Sequence, residues 1–275
     1  MTNSIERYRE AYSELKLLLE YGMALINFQV GHTPNNDREF YAERIFTKMV
    51  CHGLSLQRLS PSPHLPPNEL WDISSIYSIA RTLIETYEAL AYVSIDKVDE
   101  SERDFRFSLW KLHAQERRRE MLRLTGSDNP EIPAIEAEIT AYRIKILNHP
   151  FSQNLGSDFH KKVTRGDTPP YHLSRTERDL RAGIDKDYHT TIIMHLSSHV
   201  HTHPFSVHQL LGFKAGDPDC IRLMAIPIQY SLAFLGKAIT GMKEIFSPRV
   251  PLITDSLQSI IDQWGEILAK GVKEA

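Results

Sequence analysis

The stretch that decides the fold is Asp72–Ile95, with the sequence DISSIYSIARTLIETYEALAYVSI. Its apolar residues recur every three or four positions, which places them on one wide stripe of an α-helix. A stripe of this width must face a core, so the stretch is predicted to be the central helix of the protein. The residues of the stripe are Ile73, Ile76, Tyr77, Ala80, Leu83, Ile84, Tyr87, Leu90 and Ala91.

The same helical spacing continues on both sides of this stretch. A long amphipathic helix is predicted before Gly31, and a second one, capped by Asn36 and Glu39, before Ser60. No segment has the alternating pattern of a strand. We therefore predict an all-α fold, an irregular helical bundle of about eight helices forming a single helical domain over residues 1–275. Later helices are predicted to begin at or near Ser101, Asn129, Ser174, Lys186, Asp217 and Ile253.

Two segments interrupt the helical pattern. Ser60–Pro67 contains four prolines, which remove backbone donors and fix the chain, so an extended connector is expected there. His149–Leu173 is polar and lacks periodic apolar residues. These two segments are predicted to be the longest irregular connections.

The composition excludes several classes of protein. Lys and Arg total 32 against 35 Asp and Glu, a net charge of -3, which lacks the positive field of a general nucleic-acid binder. Two isolated cysteines, Cys51 and Cys220, indicate a reducing compartment, so a cytoplasmic location is expected. The most apolar run, Leu223–Gly236, is too short to span a membrane, so we predict a buried core helix and no membrane association.

The densest unusual feature is Tyr188–Pro204, YHTTIIMHLSSHVHTHP, which holds five of the thirteen histidines. Helical spacing places Tyr188, His195 and His199 on one face, with Ser198 beside it. Such a face provides a phenol, a hydroxyl and two imidazoles for catalysis. The alternative is that the histidines are buried neutral rings that join packed helices through hydrogen bonds.

The same segment suggests a metal site. His195 and His199 lie one helical turn apart, a spacing that suits two ligands of one ion, and His201 follows at the helix end. The Glu that defines the metalloprotease motif is missing after the first His. The cofactor is therefore either none or one divalent metal ion held by His195, His199 and His201.

A second polar feature lies on the central helix. Arg81 and Glu85 are one turn apart at the edge of its apolar stripe. One interpretation is an intrahelical ion pair at the boundary of the core. The other is that both residues face the histidine-bearing helix and form a polar pocket with it.

These two features together resemble a known family. An Arg-x-x-x-Glu helix, here within Arg81–Asp96, and a later helix with Tyr and Ser-His-x-His, here Tyr188–His201, are similar to a prokaryotic all-helical family known as domain of unknown function five-six-seven-seven. The resemblance covers about residues 70–235. It implies a helical bundle but no known activity. It also implies a shared pocket built from Arg81, Glu85, Tyr188, Ser198 and His199.

A weaker resemblance is to the HEPN-type helical ribonucleases and nucleotidyltransferase partners, which carry an Arg and a His with four to six residues between them. The composition alone predicts nearly as many such pairs as the sequence contains, so the motif does not discriminate. The pairs that fit are Arg58/His64, Arg106/His113, Arg143/His149 and Arg165/His172.

Two functions are favoured by these patterns, and binding of a small ligand without turnover is a third alternative. The first is a helical interaction or regulatory module, in a bacterial stress or phage-defence setting, with a protein partner. Its C-terminal amphipathic helix, residues 252–271, packs inward or mediates a homodimer. The second is a hydrolase or nuclease in which His199 is the general base, Glu85 orients it or binds a metal, and Arg81 holds an anion. The interaction module and the enzyme differ in whether Arg81, Glu85 and His199 meet in one accessible cavity.

Overall fold

The computed structural model of the protein describes residues 4–64 and 71–272. All regular structure in these two ranges is helical, which confirms the all-α class, and eleven α-helices occur there instead of about eight. They are α1 (Ser4–Gln29), α2 (Asp37–Leu59), α3 (Ile73–Leu90), α4 (Glu100–Leu124), α5 (Ile132–Leu147), α6 (Ser157–Arg165), α7 (Arg175–Ala182), α8 (Lys186–Val200), α9 (Pro204–Leu211), α10 (Pro218–Phe246) and α11 (Asp255–Lys270).

The chain divides into two compact units. The first comprises Met1–Ile95 and Arg178–Ala275, and the second comprises Asp96–Glu177. Each unit has a hydrophobic core of its own. That the whole chain behaves as one domain stays a prediction.

In the first unit, α3 has the central position that its apolar stripe predicts. It packs against α2, α8 and α10, and its stripe residues Ile76, Leu83 and Leu90 are completely buried. A π-helical turn, Ala91–Ile95, extends α3 at its C-terminal end. The central helix thus supports both α8 and α10.

The predicted capping residues explain where two helices begin. The side chain of Asn36 accepts a hydrogen bond from the backbone nitrogen of Glu39 over 2.9 Å, which fixes the start of α2. Ser174 and Glu177 form the expected reciprocal capping box at α7. The cap of α4, however, is not the predicted Ser101. It is Asp99, whose carboxylate accepts from the Glu102 nitrogen over 2.7 Å.

The prediction of an irregular segment over His149–Leu173 is wrong. It contains a 3-10 turn, Pro150–Asn154, and the helix α6. Val163 of α6 is completely buried in the core of the second unit, and Phe159 packs against that core. Two apolar positions in nine residues are too few for a periodicity to be recognised in the sequence.

A second difference concerns Pro204. The sequence predicts that this proline ends α8. In the structure Pro204 also begins a further helix, α9, which the sequence pattern does not predict. Proline is favoured at the first position of a helix because it lacks an N–H that would be unpaired there. Of the predicted connector Ser60–Pro67, residues 60–64 are outside any helix, whereas residues 65–67 lie outside the described residues.

The C-terminal helix α11 packs inward. Its buried residues face α10 and α1, and Trp264 donates a hydrogen bond from Nε1 to the carboxylate of Glu14 over 2.8 Å. The apolar face on which a homodimer was expected is thus covered within the first unit. A homodimer through this helix stays a prediction.

The longest helix, α10, is a core helix. Among the described helices it alone is long and apolar enough to cross a membrane, but 67% of its apolar window is buried inside the protein. The prediction of a buried helix over Leu223–Gly236 is confirmed by its packing against α1, α3 and α11. The absence of membrane association stays a prediction.

Candidate functional site

The candidate site lies where α8 and α10 both pack on α3. Tyr77 of α3 is completely buried, and its hydroxyl donates a hydrogen bond to the carbonyl oxygen of Leu223 in α10 over 3.0 Å. Its ring lies 5.0 Å from the ring of His195 and 4.2 Å from that of His199, both in α8. Burial raises the pKa of Tyr77, so its hydroxyl stays neutral. Tyr77 thus joins both helices beneath the site.

A cavity of about 670 Å³ opens between α8, α9 and the first turns of α10. We call it the α8 groove. Its volume lies within the range of roughly 300–1,000 Å³ that is typical of small-molecule sites, and its walls are mainly apolar with a few polar groups. Its lining residues are Thr191, Met194, His195, Ser198, Phe205, Gln209, Arg222, Leu223 and Ile226.

A second cavity, of about 440 Å³, follows the α8 groove along the same helix. Thr191 lines both cavities. Tyr230 of α10 stands at their junction, with its ring 6.1 Å from that of Tyr188 and 6.2 Å from that of His195. From Tyr188 to Ser198 the two cavities extend over about 15 Å at the helical rise per residue.

His195 is a half-buried polar group in the groove wall. Its ring is surrounded by the rings of Tyr77, His199, Phe205 and Tyr230. Neither of its ring nitrogens has a hydrogen-bond partner within the described parts of the chain. Burial, and then the nearby His199, lower the pKa of His195, so the ring is neutral near pH 7. A neutral imidazole of this kind has one donor and one acceptor available for a ligand.

His199, the predicted general base, has a different environment. It is 3% exposed, and its Nε2 donates to the Oε1 atom of Gln209 in α9 over 2.9 Å. Its other nitrogen, Nδ1, is buried and has no partner among the residues that the structure covers. Burial lowers the pKa of His199 although the bond to Gln209 opposes this shift. Neither nitrogen of His199 is therefore placed to take a proton from a bound molecule.

Arg81 and Glu85 form the intrahelical ion pair that their spacing predicts. The Nε atom of Arg81 donates to Oε1 of Glu85 over 2.9 Å. A terminal nitrogen of Arg81 also donates to the hydroxyl of Ser197 over 2.9 Å, and it lies 3.3 Å from Nε2 of His201. Arg81 thereby connects α3 to the end of α8.

The predicted site residues therefore fall into separate groups. Arg81, Glu85 and His201 meet beside Ser197, whereas Ser198 lies in the α8 groove, Tyr188 in the second cavity and His199 behind the groove wall. In residues 4–64 and 71–272, no hydrogen bond or ion pair joins Arg81 or Glu85 to His199. Among the described residues, Arg81, Glu85, Tyr188 and His199 do not form one polar cluster through direct contacts.

The three candidate metal ligands do not converge either. His195 and His199 have ring centroids 6.1 Å apart and both pack on Tyr77, whereas His201 faces the positive guanidinium of Arg81. No group of three or more His, Cys, Asp or Glu side chains in the described ranges is arranged to hold a metal ion. The sequence spacing of His195, His199 and His201 is thus not matched by a ligand set in three dimensions.

A buried polar network lies elsewhere in the first unit, and the sequence analysis missed it. The ring of His189 is completely buried between two carboxylates, with Nδ1 2.7 Å from Asp179 and Nε2 3.3 Å from Glu88. Arg178 donates to the other oxygen of Glu88 over 2.6 Å. The network joins α3, α7 and α8. A glutamate inside the apolar stretch Asp72–Ile95 is the signal that could have indicated it.

Two pKa shifts within this network oppose the effect of burial. Burial lowers the pKa of His189, but the hydrogen bond to Asp179 and the nearby carboxylate of Glu88 outweigh it and raise the pKa above its usual value. Burial raises the pKa of Glu88, but the nearby ring of His189 and the hydrogen bond from Arg178 outweigh it and lower the pKa. The folded protein therefore favours the imidazolium form of His189 between these carboxylates, an arrangement that supports the position of α8.

Comparison of the chain with models of known protein families, with curated proteins and with solved structures finds no match. The resemblances stated from the sequence motifs therefore stay predictions.

Proposed function

We propose that this protein is a non-catalytic helical binding module that takes a small, mainly apolar ligand into the α8 groove. The observation that carries the proposal is the groove itself, an apolar cavity of about 670 Å³ with the unpaired neutral ring of His195 in its wall. Apolar walls supply affinity, and one or two polar groups fix the orientation of the ligand.

The hydrogen bonds of the candidate catalytic side chains favour ligand binding over catalysis. A general base must reach the proton that it removes, and His199 instead donates its Nε2 proton to Gln209. An activated serine needs a base within hydrogen-bond reach, and the Ser198 hydroxyl donates to the carbonyl oxygen of Met194 over 3.0 Å. Arg81 bonds to Glu85 and Ser197 and is not among the residues that line the groove, so it is not placed to hold an anion there. The hydrolase or nuclease alternative needs these groups in one cavity.

Titration of the full chain with Nile red, a neutral apolar dye that fluoresces in apolar surroundings, tests this function. We expect saturable binding that Ile226→Trp weakens at least tenfold, because the indole fills the groove. Leu252→Trp is the matched control, since Leu252 lies in a loop and is 98% exposed. Circular dichroism verifies that both variants are folded. Equal binding of the dye to both variants, or no saturable binding to the unmodified chain, contradicts the proposal.

A further inference from the structure

The charges around the α8 groove allow the class of its ligand to be narrowed. Among the described residues that line the larger cavity, Arg222 is the only one with a formal charge. It is partnered by Asp219 over 3.3 Å, and the side chains are 68% and 85% exposed, so water weakens this pair. The guanidinium keeps most of its donors for an anion at the mouth of the groove.

The other described residues that line the groove carry no formal charge that could pair with a second charged group of a ligand. Met194, Phe205, Leu223 and Ile226 provide apolar walls, and the ring of His195 is neutral. A buried charge without a partner is costly. The ligand therefore has at most one charged group, at the end where Arg222 lies.

The direction of the ligand follows from the two helices. Arg222 and Ser198 line the larger cavity, whereas Tyr230 and Tyr188, farther along α10 and back along α8, line the second. The groove thus runs between two antiparallel helices. The second cavity carries two carboxylates, Asp185 and Asp187, and one ammonium, Lys270, which is paired with Glu266 over 2.5 Å, so the charge there is net negative and disfavours a carboxylate.

We propose that the α8 groove binds a free amphipathic organic acid, with its carboxylate at Arg222 and its apolar chain directed past Thr191 toward Tyr188. Arg222 forms the ion pair, and His195 donates its ring N–H to the same carboxylate. When the apolar chain of the ligand is too long for the larger cavity, its end lies in the second cavity. This inference rests on the proposed binding function and adds to it the chemical class of the ligand.

The test compares decanoate with decanol, which has the same chain length but no charge, by isothermal titration calorimetry on the full chain. We expect decanoate to bind about tenfold more tightly, the ratio that corresponds to one charge-assisted hydrogen bond. Arg222→Gln should weaken the binding of decanoate far more than the binding of decanol and so reduce this preference. Arg123→Gln is the matched control, because Arg123 is likewise an exposed arginine paired with an acidic residue three positions earlier.

The outcomes separate this inference from the proposed function. Equal binding of acid and alcohol, or an equal effect of Arg222→Gln on both, overturns the preference for an acid and leaves the groove as a neutral apolar site. Binding of Nile red without binding of decanoate also overturns the inference alone. Binding to phosphatidylglycerol vesicles but not to free decanoate contradicts a free acid as the ligand. If none of these ligands binds to the unmodified chain, Nile red included, the proposed function itself is overturned.

Discussion

Gln209 of α9 accepts a hydrogen bond from His199 of α8, with Oε1 and Nε2 2.9 Å apart. This bond joins the two helices that form one side of the α8 groove. It also occupies the nitrogen of His199 that a catalytic role would need. The same contact therefore helps to shape the groove and engages Nε2 of His199.

The first prediction concerns this bond. Gln209→Ala leaves the buried N–H of His199 without an acceptor, which should reduce the free energy of unfolding by about 1–3 kcal/mol. Binding of Nile red should weaken as well, because α9 loses its attachment to α8. Urea unfolding and dye titration measure the two effects. His208→Ala, at the neighbouring exposed position, should change neither. Unchanged stability of Gln209→Ala would show that the bond does not hold α9.

A second prediction concerns pH and the network of Glu88 and His189. The pKa of His189 is raised in the folded protein, so the stability that its charge contributes is complete below the unfolded value of about 6.5 and is lost as the pH rises through the folded value. The pKa of Glu88 is lowered, so its contribution is complete above about 4.3 and is lost as the pH falls through the folded value.

Unfolding free energies measured between pH 4 and pH 10 check these signs. We expect the difference between the unmodified chain and His189→Asn to be largest between about pH 4.5 and the unfolded histidine value of about 6.5, and to decrease at higher pH. His208→Asn serves as the control because it replaces an exposed histidine. A difference that grows steadily with pH would mean that His189 is neutral in the folded protein.

The third prediction concerns the second unit. Arg106 is 1% exposed and pairs with Glu102 over 2.6 Å and with Asp96 over 2.8 Å. Arg106→Ala leaves two buried carboxylates without their cation and should cost about 3–5 kcal/mol of unfolding free energy. Arg123→Ala, on the surface of the same helix, should have no measurable effect. Chemical denaturation followed by tryptophan fluorescence compares the two, and equal stability would contradict the buried ion pairs.

Two helical glycines provide a fourth prediction. A Cβ atom at Gly241 of α10 would lie 2.5 Å from the side chain of Ile95, whereas one at Gly265 of α11 would meet nothing within 4 Å. Gly241→Ala should therefore destabilise the protein by about 1–3 kcal/mol through overpacking. Gly265→Ala should stabilise it by roughly 0.5–1 kcal/mol, because alanine favours the helix. Melting temperatures that change in the same direction for both variants would contradict this packing.

The sequence predicts much of this fold because helical signals act over short distances. The stripe of Asp72–Ile95 and the cap at Asn36 depend only on residues one or two turns apart, and both predictions are confirmed. The helix α6 was missed because its two apolar positions, Phe159 and Val163, are recognisable only once the second unit covers them.

The site was less predictable, since it depends on how helices rotate against one another. Helical spacing places His195 and His199 on one face, and both do contact Tyr77. Helical spacing cannot show that Gln209 accepts a hydrogen bond from His199, because Gln209 lies on α9, a helix that was not predicted. Nor can it show that Arg81 faces Ser197 instead of that ring. These relationships arise from packing between segments that are distant in the sequence.

The most direct test of the α8 groove as a binding site uses two methionines of the unmodified chain. The side chains of Met194, at the groove, and Met121, in the second unit, are exposed to a similar extent, 67% and 61%. With carbon-labelled methionine methyl groups, NMR titration with decanol should shift the Met194 signal in a saturable manner and leave the Met121 signal in place. If neither the Met194 signal nor the Met121 signal shifts, or if the two signals shift to the same extent, binding in the α8 groove is contradicted.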